Sequence, residues 1–258
     1  MPEILLGTSG YSYYDWNGAF YPEAHDKKKQ LDFYSSYFNT VEVNFTYYRI
    51  PNPHIFENMA ARVPDDFLFS VKAHKSMTHT RDCSRQDYRL YINALSPLIN
   101  SAKLGPLLLQ FPWHFKFSKS NMEYLSSIRE YFGELDLCIE FRHNSWIRDE
   151  VIDFLKGQKL GFCNVDQPRL KGLLPPTGIS TTSTGYIRFH GRNSKDWWKP
   201  AEAYMRYNYM YEQDELLEWL PRIEKVVSNT KRTFIYFNNH YKARAVKSAH
   251  LLRDLLQA

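Results

Sequence analysis

The side chains with most chemical capacity lie at the ends of short apolar runs. They are the carboxylates Glu42, Glu140 and Asp166, the histidines His74, His190 and His240, and the cations Lys72, Arg142 and Arg188, accompanied by the amides Asn44, Gln110 and Asn238. Carboxylates and histidines beside cations are the materials of acid–base catalysis on an anion. Glu140 precedes Arg142 by two residues and Glu42 precedes Asn44 by two, so each carboxyl is offered a partner that keeps it ionised and able to act as a base. Lys72, if walled in beside other cations, would have a lowered pKa and serve as acid, base or Schiff-base nucleophile; its plainer role is to clamp an anion. His190 precedes Gly191, where a ligand would be able to approach the backbone, and shares a parity with Arg188. The expected arrangement has Arg142 and Arg188 gripping the anion while Glu140 and His190 move protons. Glu42, Asp166 and Lys72 complete the catalytic candidates.

Eight elements must position these groups. The runs Ile4–Gly10, Thr40–Phe45, Phe67–His74, Pro106–Pro112, Cys138–His143, Leu160–Asp166, Gly185–Gly191 and Thr233–His240 read as strands. Because side chains alternate faces along a strand, polar residues two apart share a face. In seven of the runs the polar residues keep one parity. The set so defined includes Ser70, Asn164 and Tyr236 with the residues above, Asp166 among them, and all are expected to point inward. Segments of helical periodicity separate the runs: Lys27–Phe38, Asn52–Val63, Ser84–Lys103, Ser118–Phe132, Arg148–Gln158, Asp214–Thr230 and Ala243–Gln257. The exception, Gln167–Thr184, carries Pro175 and Pro176 and reads as an irregular crossover. Strands alternating with helices imply parallel pairing, and 258 residues match an α/β fold with a single (β/α)8 TIM-like barrel whose sixth crossover is irregular. In such barrels the site lies at the carboxyl ends of the strands. A polar plug that merely closes the barrel is the bland alternative.

No stretch approaches a membrane span and the start lacks the regions of a signal peptide, so a cytoplasmic protein without membrane partners is expected. Three cysteines at unrelated spacings suggest neither disulfides nor a zinc knuckle. A net charge of +5 tolerates an acidic partner without demanding one. The aromatic content of 16% is the stronger anomaly, because Trp16, Trp113, Trp146, Trp197 and Trp198 all follow strands, where some would anchor loops and others, with Trp16, Trp146 and Trp197 foremost, would touch a ligand. The Thr78–Asp82 stretch reads equally as part of the mouth or as ordinary loop.

The segments GTSGYSYYDWNGAFYP, FNTVEVNFTYYRIP, FSVKAHKSMTH, GPLLLQFP, IEFRHNSW, IRFHGR and YFNNH, in this order, resemble the YecE-like family, a domain of unknown function. The resemblance implies a TIM-barrel-like fold and no activity, so function must come from the residues.

Three classes are open. The first is an enzyme, hydrolase or lyase, acting by acid–base chemistry on an anionic, phosphate-bearing small molecule. The second is a nucleic-acid-binding protein or phosphodiesterase, which needs a basic track outside the mouth. The third is a glycosidase using Glu42 and Glu140, which needs a less cationic pocket. No cofactor is expected. A divalent metal is the alternative, with Glu42, His74, Glu140, Asp166, His190 and His240 as capable ligands, but Lys72, Arg142 and Arg188 would repel it.

Overall fold

The computed structural model describes residues 2–257. Each apolar run forms a strand: β1 Glu3–Thr8, β2 Thr40–Val43, β3 Leu68–Lys72, β4 Leu104–Gln110, β5 Leu137–Glu140, β6 Leu160–Asp166, β7 Thr184–Phe189 and β8 Arg232–Phe237. They pair in parallel in the order β1, β8, β7, β6, β5, β4, β3, β2 and curl into a nearly closed barrel flanked by helices. At the seam between β1 and β2 regular pairing gives way to a single bridge, Ser9 to Glu42. There the Tyr34 hydroxyl accepts from the Thr8 N–H at 2.9 Å and donates to the Thr40 carbonyl at 3.1 Å, standing in for a missing ladder bond. The strands crowd at this seam, since a Cβ on Gly7 would lie 2.2 Å from the Thr40 oxygen.

The helices are α1 Gln30–Ser35, α2 Pro53–Ala60, α3 Lys75–Thr78, α4 Arg85–Asn100, α5 Lys119–Phe132, α6 Asp149–Gly157, α7 Gln213–Leu217, α8 Leu220–Val227 and α9 Arg244–Gln257. Their starts follow capping chemistry: Asn52 caps α2 ahead of Pro53, Ser84 and Asp87 form a reciprocal capping box on α4, and Ser118 caps α5. Residues at spacings of three and four, such as Tyr88, Tyr91, Leu95 and Leu98 of α4, turn inward and bury against the sheet. Two helical expectations are modified. Lys27–Lys29 is a 3-10 turn leading into α1, and the Asp214–Thr230 segment divides into α7 and α8, because Pro221 has no N–H to carry the ladder across the junction. Between β6 and β7 there is no helix among the described residues, as Pro175 and Pro176 imply. No described helix is long and apolar enough to cross a membrane.

One strand departs from the parity reading. In β6, Cys163 lies within 4.0 Å of Glu140 inside the barrel, so Asn164 and Asp166 point outward. The helix-free crossover explains Asn164: backbone without a ladder needs partners, and Asn164 Oδ1 accepts from the Ile179 N–H and the Thr177 hydroxyl at 2.8 Å while its amide donates to the Ile179 carbonyl. Alternation showed that β6 has two faces but not which one looks inward.

Candidate functional site

Glu42, Glu140, Arg188 and His190 meet inside the barrel as a buried layer, with Arg142 at its edge. Arg188 Nη1 donates to Glu140 Oε2 at 2.5 Å and Nη2 to Glu42 Oε1 at 2.7 Å. Glu42 also accepts from the Tyr186 hydroxyl at 2.8 Å and from Asn44 at 3.0 Å. Arg142 Nε, as an ion pair, and the neutral His190 Nε2 approach Glu140 Oε1 to 2.5 and 3.2 Å, but off the hydrogen-bonding direction, so all three atoms lack a well-directed partner. Asn238 Nδ2 lies 3.1 Å from His190 Nδ1 and donates to it, which leaves the proton of the neutral ring on Nε2, facing Glu140. Burial alone would raise the Glu140 pKa, yet the Arg142 and Arg188 guanidiniums and His190 outweigh it and hold the carboxyl well below its usual range. Burial, reinforced by Arg142, pushes His190 down to about 3 despite the opposing pull of Glu140, so the ring stays neutral at physiological pH.

This layer is a floor. Above it opens a cleft of two chambers of about 440 and 360 Å³ that share Tyr47, Tyr48, Lys72, Gln110, Arg142 and Tyr207. Lys72 keeps some surface open to the cleft, but packing on its other sides strips most of its hydration. That desolvation, with the repulsion of Arg188 and Arg142, lowers its amine to about 7 against the attraction of Glu140 and Glu42. Its Nζ donates to Gln110 Oε1 at 2.9 Å and stands 4.5 Å above the Tyr47 ring. Arg142, 11% exposed, lines both chambers with its guanidinium 5.7 Å from the Trp197 ring. Asn44, Asn238, His240 and the edge of Arg188 line the first chamber, with His240 stacked 4.5 Å from Tyr13; Trp197 lines the second.

Several sequence candidates are placed elsewhere. Glu42, Glu140 and His190 lie in the floor and do not line the cleft. His74 caps α3 through Ser76 and faces away from both chambers. Trp16 and Trp146 are fully buried, donating to the carbonyls of His240 and Phe115 at 2.7 Å, and so anchor loops. Gly191 leaves no room for a ligand: its φ of +86° needs glycine, and a Cβ would strike Tyr209 at 2.6 Å. Among the described residues no three His, Cys, Asp or Glu side chains converge as a metal site.

Asp166 has a different task. Outside the barrel it accepts from Arg192 at 2.8 Å, from the Tyr211 hydroxyl at 2.8 Å and from Trp219 Nε1 at 2.5 Å. Arg192 and Tyr211 are the two ends of the long connection after β7, so one carboxylate clasps both. Between them that connection presents Trp197, Trp198, Arg206 and Tyr207 to the cleft. Sequence reasoning missed Tyr13, Tyr47, Tyr48 and Tyr207 as walls; the count of 19 tyrosines was the available signal. His79, of the ambiguous Thr78–Asp82 stretch, lines the second chamber, where burial and the neighbouring Lys72 depress it to about 4.

Known proteins share this framework. The chain is 30% identical over 269 residues to the UPF0759 protein YunF of Bacillus subtilis, covering 98% of this chain and 94% of that one. It is 29% identical over 124 residues to the UPF0759 protein YecE of Escherichia coli, a match spanning 44% and 41% of the two chains. A DUF72 family protein of Thermotoga maritima, known from a crystal structure, superimposes with a TM-score of 0.92 at 38% identity over 99% of this chain and all of that one. A DUF72 family protein of Enterococcus faecalis does so with 0.88 at 26% identity, over 99% and 96%. The model of the family described as "Protein of unknown function DUF72" matches residues 5–258, and the chain belongs to that family.

Proposed function

We propose that the chain is an enzyme, a hydrolase or lyase, that binds a small anionic, phosphate-bearing substrate in the cleft and acts on it by acid–base chemistry. The observation that carries this reading is Lys72, an amine brought to about 7 at the base of an aromatic-walled cleft and sharing both chambers with Arg142. A group that titrates near neutral pH both accepts and returns a proton under working conditions. Arg142 serves as the anion's anchor. Arg188, with both terminal nitrogens committed to Glu42 and Glu140, sets the charge of the floor instead of gripping a ligand. The chambers have the size of a small-molecule site.

The glycosidase reading has less support, because neither Glu42 nor Glu140 lines the cleft and Glu140, held ionised, is a poor proton donor. Calorimetric titration with glycerol 3-phosphate, with glycerol as the neutral control, tests the proposal. Arg142→Ala is expected to weaken binding of the ester by about tenfold or more, the worth of a charged hydrogen bond. Equal affinity in wild type and variant overturns it.

A further inference from the structure

We propose that Lys72 is a nucleophile that forms an imine with the carbonyl carbon of a small anionic aldehyde or ketone whose anionic group sits on Arg142. This deepens the reading of the cleft above and rests on it. The argument begins with a comparison of two lysines. Lys103 is buried with its Nζ donating to the Ala60 and Val63 carbonyls at 2.8 and 2.9 Å and with the Asp65 carboxylate 3.6 Å away as a counter-ion, so its role is structural. Lys72 has one acceptor, Gln110 Oε1, and an aromatic face; among the described residues no carboxylate lies within salt-bridge distance of it. A desolvated amine without a counter-ion, open to a cleft, is the arrangement that activates lysine toward carbonyl groups.

Gln110 directs the amine. Its Nε2 donates to the Phe111 carbonyl at 2.7 Å, which locks the amide with Oε1 toward Lys72. With the amine near 7, roughly a thousandfold more of it is neutral at pH 7 than of an ordinary surface lysine. The neutral nitrogen's lone pair adds to the carbonyl carbon, forming the C–N bond as the C=O π pair moves to oxygen. One N–H proton passes to that oxygen to give a carbinolamine. The oxygen takes back one proton, equal to the one the ammonium released to solvent on becoming the neutral amine, and leaves as water while the nitrogen lone pair closes the C=N+ bond. No oxidant or reductant is consumed. The resulting cation occupies the place of the ammonium against the Tyr47 face, and it withdraws electrons from the adjacent carbon, which suits a lyase.

Reductive trapping tests this. The full chain is incubated with dihydroxyacetone phosphate or with neutral dihydroxyacetone, each with sodium cyanoborohydride, and adducts are mapped by peptide mass spectrometry. The expected result is an adduct concentrated on Lys72 in the wild type, absent at that position in Lys72→Arg with no compensating site. In Arg142→Ala trapping of the phosphorylated ketone should slow by about tenfold more than trapping of the neutral ketone, which reports only the change in the amine that follows loss of the Arg142 charge. Mapping of the wild type needs no variant to fold. Labelling spread over exposed lysines without enrichment at Lys72 overturns the imine. Calorimetry without reductant separates the two claims: ester binding with no trapped adduct sinks the nucleophile and leaves the anion site, whereas loss of both sinks both.

Discussion

The barrel floor and the Asp166 clasp are built from the same chemistry, buried carboxylates on arginine, yet they differ in completeness. Asp166 is fully buried and receives donors from Arg192, Tyr211 and Trp219, while Arg192 spreads its remaining charge to Glu215 at 3.3 Å and Glu218 at 3.0 Å. Around Glu140, by contrast, several polar atoms lack a well-directed partner, and the group lies directly beneath a lysine whose proton it helps to set. A saturated network holds a loop in place, and an incompletely satisfied one under a cleft keeps a field available to what binds above it. The difference is between a carboxylate that shapes the walls and carboxylates that favour the charged form of Lys72.

The largest expected effect comes from breaking the floor. Arg188→Met leaves Glu42 and Glu140 without their shared cation and should cost about 3–5 kcal/mol in urea unfolding. Its pH dependence should also reverse. In the wild type, Glu140, depressed in the folded state, contributes stability above its usual pKa that is lost as pH falls toward the lower folded value. His190, depressed to about 3, adds a loss that begins as the unfolded ring charges near 6.5. In the variant the two facing carboxyls gain by protonation, so stability should rise on mild acidification. A variant that loses stability in acid as the wild type does would show that the carboxylates do not depend on Arg188.

Lys72 gives the next effect. Its folded pKa is depressed to about 7, so its contribution is fully present above the unfolded value of 10.5 and is lost as pH falls through about 7. The stability of wild type relative to Lys72→Met should therefore increase by about 3 kcal/mol between pH 7 and 10.5, less than the full shift because the cleft admits water. A flat difference across that range would mean the amine is hydrated. Asp166→Asn should cost about 2 kcal/mol, by weakening its charged hydrogen bonds. It should speed amide hydrogen exchange across residues 192–211, whereas Glu140→Gln should leave those amides protected. The smallest effect sharpens the contrast most. Glu140 supports the charged form of Lys72, so Glu140→Gln should lower the Lys72 pKa by about half a unit to one unit, read from the labelled ε-carbon by NMR, and Asp166→Asn should leave it in place.

Much of this protein was legible beforehand because its signals are local. Each strand was marked by apolar runs, most helices by spacings of three and four with a capping residue, and the helix-free crossover by Pro175 and Pro176, since backbone geometry and side-chain periodicity act over a few residues. Parity also brought Glu42, Lys72, Glu140, Arg142 and Arg188 to one face of their strands, where the barrel encloses them. What alternation cannot supply is absolute orientation: a strand buried on both sides satisfies either choice, and β6 turned Asp166 outward because partners distant in sequence, Arg192, Tyr211 and Trp219, were there to receive it. Depth was equally a tertiary matter. Lys72 reaches the cleft and Glu140 stops beneath it, although both end their strands, because which side chain meets solvent at the barrel mouth depends on how eight strands stagger and what the loop after β7 covers. The residue types were written in the chain; whether each became floor, wall, clasp or open amine was decided by the neighbours that folding brought to it.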